Sequence, residues 1–220
     1  MGVLPPQQNA AFVCPSERVL DVYQRLYEAA RPVGCRDESP KQLLREGRSP
    51  VVLPDGRTRY DSEYHRHGVG PLYRLHEPLR GWRRVPLEAR HDRLPFARVV
   101  ARLLEPDDPT AARVTRVLDK LWAHQPAALY AVLAPERAHA LLPRIAFVFT
   151  PKPGSWLHRA EIEFAALLPH GLPERVPDQA TLERHCAAWP SERNQRGAPT
   201  NWPFTTEQAR TKLKPLYPTT

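Results

Sequence analysis

The run Val114-Thr115-Arg116-Val117-Leu118-Asp119-Lys120 constrains this chain more than any other, being an apolar stretch too short for a stable helix that stops on a carboxylate. Such a run reads as a strand, and ligand sites in open α/β sheets collect beyond the carboxyl ends of strands. Two other acids sit in comparable settings. Asp37 closes the small run Pro32-Val33-Gly34-Cys35-Arg36, and Glu161 lies within Ser155-Trp156-Leu157-His158-Arg159-Ala160-Glu161-Ile162-Glu163-Phe164. The three are separated by 82 (119 − 37) and 42 (161 − 119) positions. Three carboxylates brought in from distant segments outline a two-metal phosphoryl-transfer site.

The rest of the chain supplies a scaffold for such a site. Residues 1–16, rich in Pro, Gln and Asn, read as a linker, with Ser16 capping a helix over 17–28 whose apolar stripe is Val19, Tyr23 and Leu26. Pro32 ends that helix and the strand to Asp37 follows. Between Gly47 and Ala89, short β-like runs at 59–67, 71–79 and 82–87 are punctuated by Val69-Gly70-Pro71 and by the turn 78–81, predicting an antiparallel meander. A helix over 91–104 stops at Glu105-Pro106-Asp107-Asp108-Pro109, and the strand 114–119 comes next. Helical pieces over 126–133 and 135–142, a strand over 144–150, the helix of Glu161, and helices over 177–193 and 205–216 complete the order. Strands and helices in this succession predict an α/β fold with a mixed sheet and helices packed on its faces.

An isolated Asp at a strand end is ordinarily a turn former or helix cap, and that reading stays open for Asp37 or Asp119 taken alone. Glu161 is different. On a helix over 157–168 it shares a stripe with Leu157, Phe164 and Leu168, and a carboxylate on a buried stripe is costly unless a cation or hydrogen bonds receive it. Glu163 faces away on that helix and is the alternative third acid. Oxygen donors without Cys or paired His suit Mg2+ or Mn2+, two ions about 4 Å apart. His65-x-His67 is the nearest approach to a zinc site and lacks a third ligand in sequence.

Composition narrows the partners. With 32 Lys and Arg against 24 acids the net charge is +8, which suits a polyanion such as nucleic acid. The 220 residues, 41% hydrophobic, suffice for one core and one domain. Cys14, Cys35 and Cys186 are widely spaced with no C-x-x-C, which fits a reducing compartment. No run reaches the roughly 18 apolar residues of a membrane span, so no membrane partner and a cytoplasmic location are expected.

These segments together resemble the catalytic domain of mariner-like bacterial insertion-sequence transposases, a group within the DDE endonucleases of ribonuclease-H-like fold. The resemblance is carried by Asp37-Glu38 with Lys41-Gln42-Leu43-Leu44, by Leu118-Asp119-Lys120 with His124, and by Pro151-Lys152-Pro153-Gly154-Ser155-Trp156-Leu157-His158-Arg159-Ala160-Glu161. It continues through Glu77 to Arg84 and the closing Trp202-x-Phe204-Thr205-Thr206 segment.

It implies a five-stranded mixed sheet, an antiparallel meander followed by parallel strands, with helices on both faces. It also implies Asp37, Asp119 and Glu161 as catalytic residues holding two Mg2+ or Mn2+ ions, supported by Glu38, His124, Lys152, Ser155, Trp156 and His158. The activity implied is DNA strand cleavage and strand transfer at insertion-sequence ends, with transposon ends and target DNA as partners, in a bacterial cytoplasm at the nucleoid. Residues 1–16 would then be a linker remnant and 17–220 the catalytic domain, with the helix-turn-helix DNA-binding domain on a separate chain and a homodimer as a further assembly. Departures from the family pattern are Lys120 and His158, where the family has Asn, and Arg36, where it has an apolar residue. They point to the other reading, an inactive truncated remnant that only binds DNA or a partner.

Overall fold

A computed structural model of the chain describes residues 4–5, 7–87, 94–119, 125–152, 157, 159–165, 171–197 and 199–218. Its main sheet has five strands: β1 (Val33–Glu46), β4 (Tyr64–Glu77), β5 (Trp82–Arg84), β6 (Val114–Leu118) and β7 (Ile145–Phe149). The strand order is β5-β4-β1-β6-β7, with β1, β6 and β7 parallel and β1-β4-β5 antiparallel. A separate two-stranded ribbon, β2 (Val51–Val52) with β3 (Thr58–Arg59), lies between β1 and β4 in sequence. β6 sits between two parallel neighbours, which is why its sequence is a continuous buried run.

The antiparallel half departs from the predicted meander. Positions 69–71 are not a turn: β4 runs straight through them, merging two expected strands into one of 14 residues paired with β1 from Cys35↔His76 to Glu46↔Tyr64. Pro40 and Pro71 face each other in that ladder, so two donors are missing there. The arm tolerates this because β6 leaves β1 after Cys35, which makes the outer half a two-stranded ribbon. The turn at 78–81 forms as expected, Gly81 taking φ 67° and donating its N–H to the Pro78 carbonyl at 3.3 Å.

Helices cover both faces. On one, α1 (Ala10–Tyr23), α4 (Arg159–Ala165), α5 (Gln179–Arg196) and α6 (Thr206–Lys212) cluster around Val19, Leu20, Cys35, Leu72, Val117, Leu157, Leu182 and Trp189. On the other, α2 (Pro95–Arg102), its π-helical continuation Leu103–Asp107, the 3-10 segment Pro126–Ala131 and α3 (Pro135–Leu141) pack on Tyr73, Leu75, Val114, Leu118 and Ile145. A Cβ added to Gly70 would lie 2.3 Å from Leu182 Cδ2, so α5 seats directly on bare backbone of β4.

The first helix starts seven residues earlier than expected (17 − 10). Asn9, not Ser16, caps α1, accepting from the Phe12 N–H at 3.0 Å, while Ser16 lies inside the helix and donates its hydroxyl to the Phe12 carbonyl at 2.7 Å. Pro15 costs only the bond to the carbonyl of Ala11, an exposed residue. The helix also stops at Tyr23, leaving Leu26 exposed in the loop that follows. The helical run after residue 94 continues through Pro106 as a π turn, beyond the stop read at Glu105.

Candidate active site

Asp37 does not close its strand: β1 continues nine residues past it to Glu46. What ends near Asp37 is the pairing with β6. The parallel register aligns Val33 with Thr115 and Cys35 with Val117, an offset of 82 (117 − 35), the same as between Asp37 and Asp119 (119 − 37). Continuing that register brings the two carboxylates level just where the strands part. By alternation both belong to the face of Cys35 and Val117, the face that carries α4.

Opposite Asp37 in the antiparallel ladder stands Arg74, whose Nη2 donates to Asp37 Oδ2 in an ion pair of two mostly buried side chains. Glu161, in the first turn of α4, completes the cluster electrostatically. Desolvation raises its carboxyl above the ordinary Glu value, Arg74 opposes the rise and Asp119 adds to it. Desolvation likewise lowers the Arg74 guanidinium, with Glu161 holding it up. The structure thus brings Asp37, Asp119 and Glu161 to one face, with Arg74 coupled to Asp37 and Glu161, and with Asp119 also holding up the buried Arg36 guanidinium. They are not drawn into a tight ligand shell: among the described residues no three His, Cys, Asp or Glu side chains are grouped closely enough to hold a metal ion.

Glu161 corrects one expectation, for it is exposed on α4 rather than part of a buried stripe; Leu157, Arg159 and Ala160 take the buried positions. Glu38 corrects another. It ion-pairs with Arg36 on the opposite face, where the Arg36 guanidinium lies 4.8 Å from the Phe96 ring and 5.1 Å from Tyr73. Arg36 is therefore accommodated in the sheet, at 2% exposure, by stacking, by its ion pair with Glu38 and by the nearby charge of Asp119. Lys152 is exposed just beyond β7 in a groove facing α1. His67 places Nδ1 3.0 Å from the Pro177 carbonyl. His124, Ser155, Trp156 and His158, together with Lys120 and the side chain of Glu163, lie outside the described residues.

Arg74 is the residue at the site that sequence reading missed. Its only trace is the polar position in Leu72-Tyr73-Arg74-Leu75, and nothing short of the β1–β4 register connects it with Asp37.

A second charged cluster lies elsewhere in the sheet. Arg116 Nη2 donates to Glu77 Oε1 at 2.7 Å and to Asp108 Oδ2 at 3.2 Å, while Arg80 Nη1 reaches Asp108 Oδ1 at 3.3 Å and Glu77 Oε2 at 3.6 Å. Arg84 pairs with Asp107 beside them. Gly34 makes room, since a Cβ there would fall 1.8 Å from Arg116 Nη1. Burial and the neighbouring Glu77 carboxylate push Asp108 up to about 6; burial also raises Glu77, but Arg116 outweighs it and leaves that carboxyl below its ordinary value.

Residues 32–183 match a family model described as DDE superfamily endonuclease. Solved structures with the same fold include the Mos1 strand transfer complex (TM-score 0.54, 15% identity), covering 90% of this chain and 61% of that one. The Mos1 mariner paired end complex with Mn (TM-score 0.53, 16% identity) covers 90% and 62%, and the Mos1 transposase paired-end complex with left transposon end (TM-score 0.52, 17% identity) covers 90% and 61%. The chain spans less than two thirds of those proteins. No curated protein matches it. At such identities the likeness establishes the fold, a ribonuclease-H-like mixed sheet.

Proposed function

The chain belongs to the DDE superfamily endonucleases, and from that premise we propose that it is the catalytic domain of a transposase that cuts DNA strands and joins them to a target. The observation that carries this reading is the shared offset of 82, which sets Asp119 beside Asp37 on the face where Glu161 meets Arg74 and Asp119. Asp37, Asp119 and Glu161 are the residues we assign to catalysis. Their donor set is all oxygen and fits a hard divalent cation such as Mg2+ or Mn2+. When bound, that cation supplies the Lewis acidity that activates a water or 3′ hydroxyl and stabilises the leaving oxygen. Arg74 holds Asp37 in position, and its planar fork suits a phosphodiester oxygen once Asp37 turns to a cation. DNA ends and target are the partners, with a bacterial insertion sequence as the source. No helix among the described residues is long and apolar enough to cross a membrane.

One observation favours a second reading, an inactive remnant that binds DNA: Asp37 is already neutralised by Arg74. Nicking of supercoiled plasmid in Mg2+ or Mn2+, with a DNA-binding partner supplied, separates the two. The active reading expects nicking that Asp119→Asn abolishes while DNA binding is kept. Binding without nicking, both in the natural chain and after Lys120→Asn with His158→Asn, would establish the remnant.

A further inference from the structure

β7 is an edge of the sheet, and its outer side faces α1 across a groove. Two adjoining cavities make up this groove and share Arg18, Phe147 and Val148 in their walls, one reaching Arg31 and Arg113 and the other Lys152. Its charged lining is Arg18, Arg25, Arg31, Arg113 and Lys152 against the single acid Glu28. All six are exposed. Two of the cations are lightly engaged, Arg25 with Thr115 Oγ1 at 3.4 Å and Arg31 with Glu28 at 3.7 Å. Arg18 and Arg113 have no ion pair among the described residues.

Cations held along an exposed strand edge can serve merely to prevent strand addition. Here, though, they line a groove of two adjoining cavities. Its strand wall, Ile145–Phe149, spans roughly 16 Å at about 3.3 Å per residue, the length of about five base pairs at 3.4 Å each. Arginine forks spaced along such a channel match a row of phosphates. The walls between them, Ala146, Phe147 and Val148, offer little to read base edges. We propose that the groove between α1 and the outer edge of β7 is a DNA-contact surface, tracking duplex phosphates independently of base sequence and reaching, through Thr150 and Lys152, the end of the sheet that carries Asp119. This rests on the proposed function and deepens it, because binding there needs no cleavage.

The test is the salt dependence of binding between the full chain and a mixed-sequence duplex, read by fluorescence anisotropy. Replacing Arg18 and Arg113 together with Ala should flatten the plot of log K against log salt by roughly 0.9 per arginine. Replacing Arg45 and Arg184, exposed outside the groove, removes the same charge and should leave the slope nearly unchanged. Equal effects from the two pairs would overturn the proposal, reducing the arginines to a general contribution to net charge. Hydrogen exchange on the unaltered protein needs no variant: added duplex should slow exchange in α1 and at Ala146–Val148. Protection that grows with protein concentration without DNA, and not with duplex, would overturn it in favour of edge pairing between copies.

Discussion

Two clusters of charge in this sheet have similar parts and different access to solvent. Around Arg116, three acids (Glu77, Asp107, Asp108) meet three arginines (Arg80, Arg84, Arg116), with Glu77 and Arg116 almost wholly buried. Around Arg74, Asp37 and Glu161 meet one arginine, Asp119 also faces Arg36, and Glu161 stands exposed. A closed, buried set with matched charge serves the fold. An open set in which Asp119 and Glu161 crowd each other beside solvent has the access that a divalent cation or a cationic partner needs. Access, more than the presence of acids, distinguishes a structural cluster from a candidate reaction site.

The strongest way to break this contrast is Arg116→Met. It leaves Glu77 and Asp108 buried without their main counter-charge, and chemical denaturation should show a loss of about 3–5 kcal/mol. A loss below about 1 kcal/mol would mean that the matched cluster is not structural. Asp119→Asn should do the reverse, cutting metal-dependent nicking by more than about 100-fold, beyond what disturbing a mere supporting partner costs. Its thermal midpoint should change little, because the substitution relieves Glu161 of a crowded neighbour but takes a counter-charge from the buried Arg36.

Arg74→Gln should be milder. Asp37 loses its charged donor, at a cost of about 1–3 kcal/mol, and added Mg2+ should raise the melting temperature of this variant more than that of the parent. Equal Mg2+ responses would separate Arg74 from the cation reading.

The smallest effect is on pH. Asp108 binds its proton more tightly folded, near 6, than in the unfolded chain, so its contribution favours folding increasingly as pH falls from about 7 toward 5. Glu77, held below its ordinary value, stabilises above the unfolded pKa and loses that contribution only at lower pH. Unfolding free energy measured from pH 7 to 5 should therefore rise slightly with acid, and Asp108→Asn should flatten that rise.

What could be read from the sequence follows from how completely each strand is enclosed. β6 and β7 were expected at 114–119 and 144–150 and occur within a residue or two of those limits, because parallel neighbours and covered faces demand unbroken apolar runs. β1 and β4 alternate polar and apolar residues, cross facing prolines and lie largely outside the five-stranded region, so neither their length nor their continuity was legible. Asp37 was found as an acid but mistaken for a strand terminus, since the end that matters belongs to the β1–β6 pairing and leaves no local mark. Glu161 was selected by helical spacing on the premise of burial, and the short α4 exposes it instead.

The early parting of β1 and β6 also has a mechanical consequence. Asp37 and Arg74 face each other across a continuous ladder and ride on one rigid body, whereas Asp119 sits past the last bonded pair, on another. Flexing of the long β1–β4 arm would carry the aspartate and its arginine together and leave their separation unchanged, while opening or closing the gap to Asp119. The candidate site therefore has one soft coordinate, like the jaw of a caliper, and its fulcrum is the Cys35–Val117 pair.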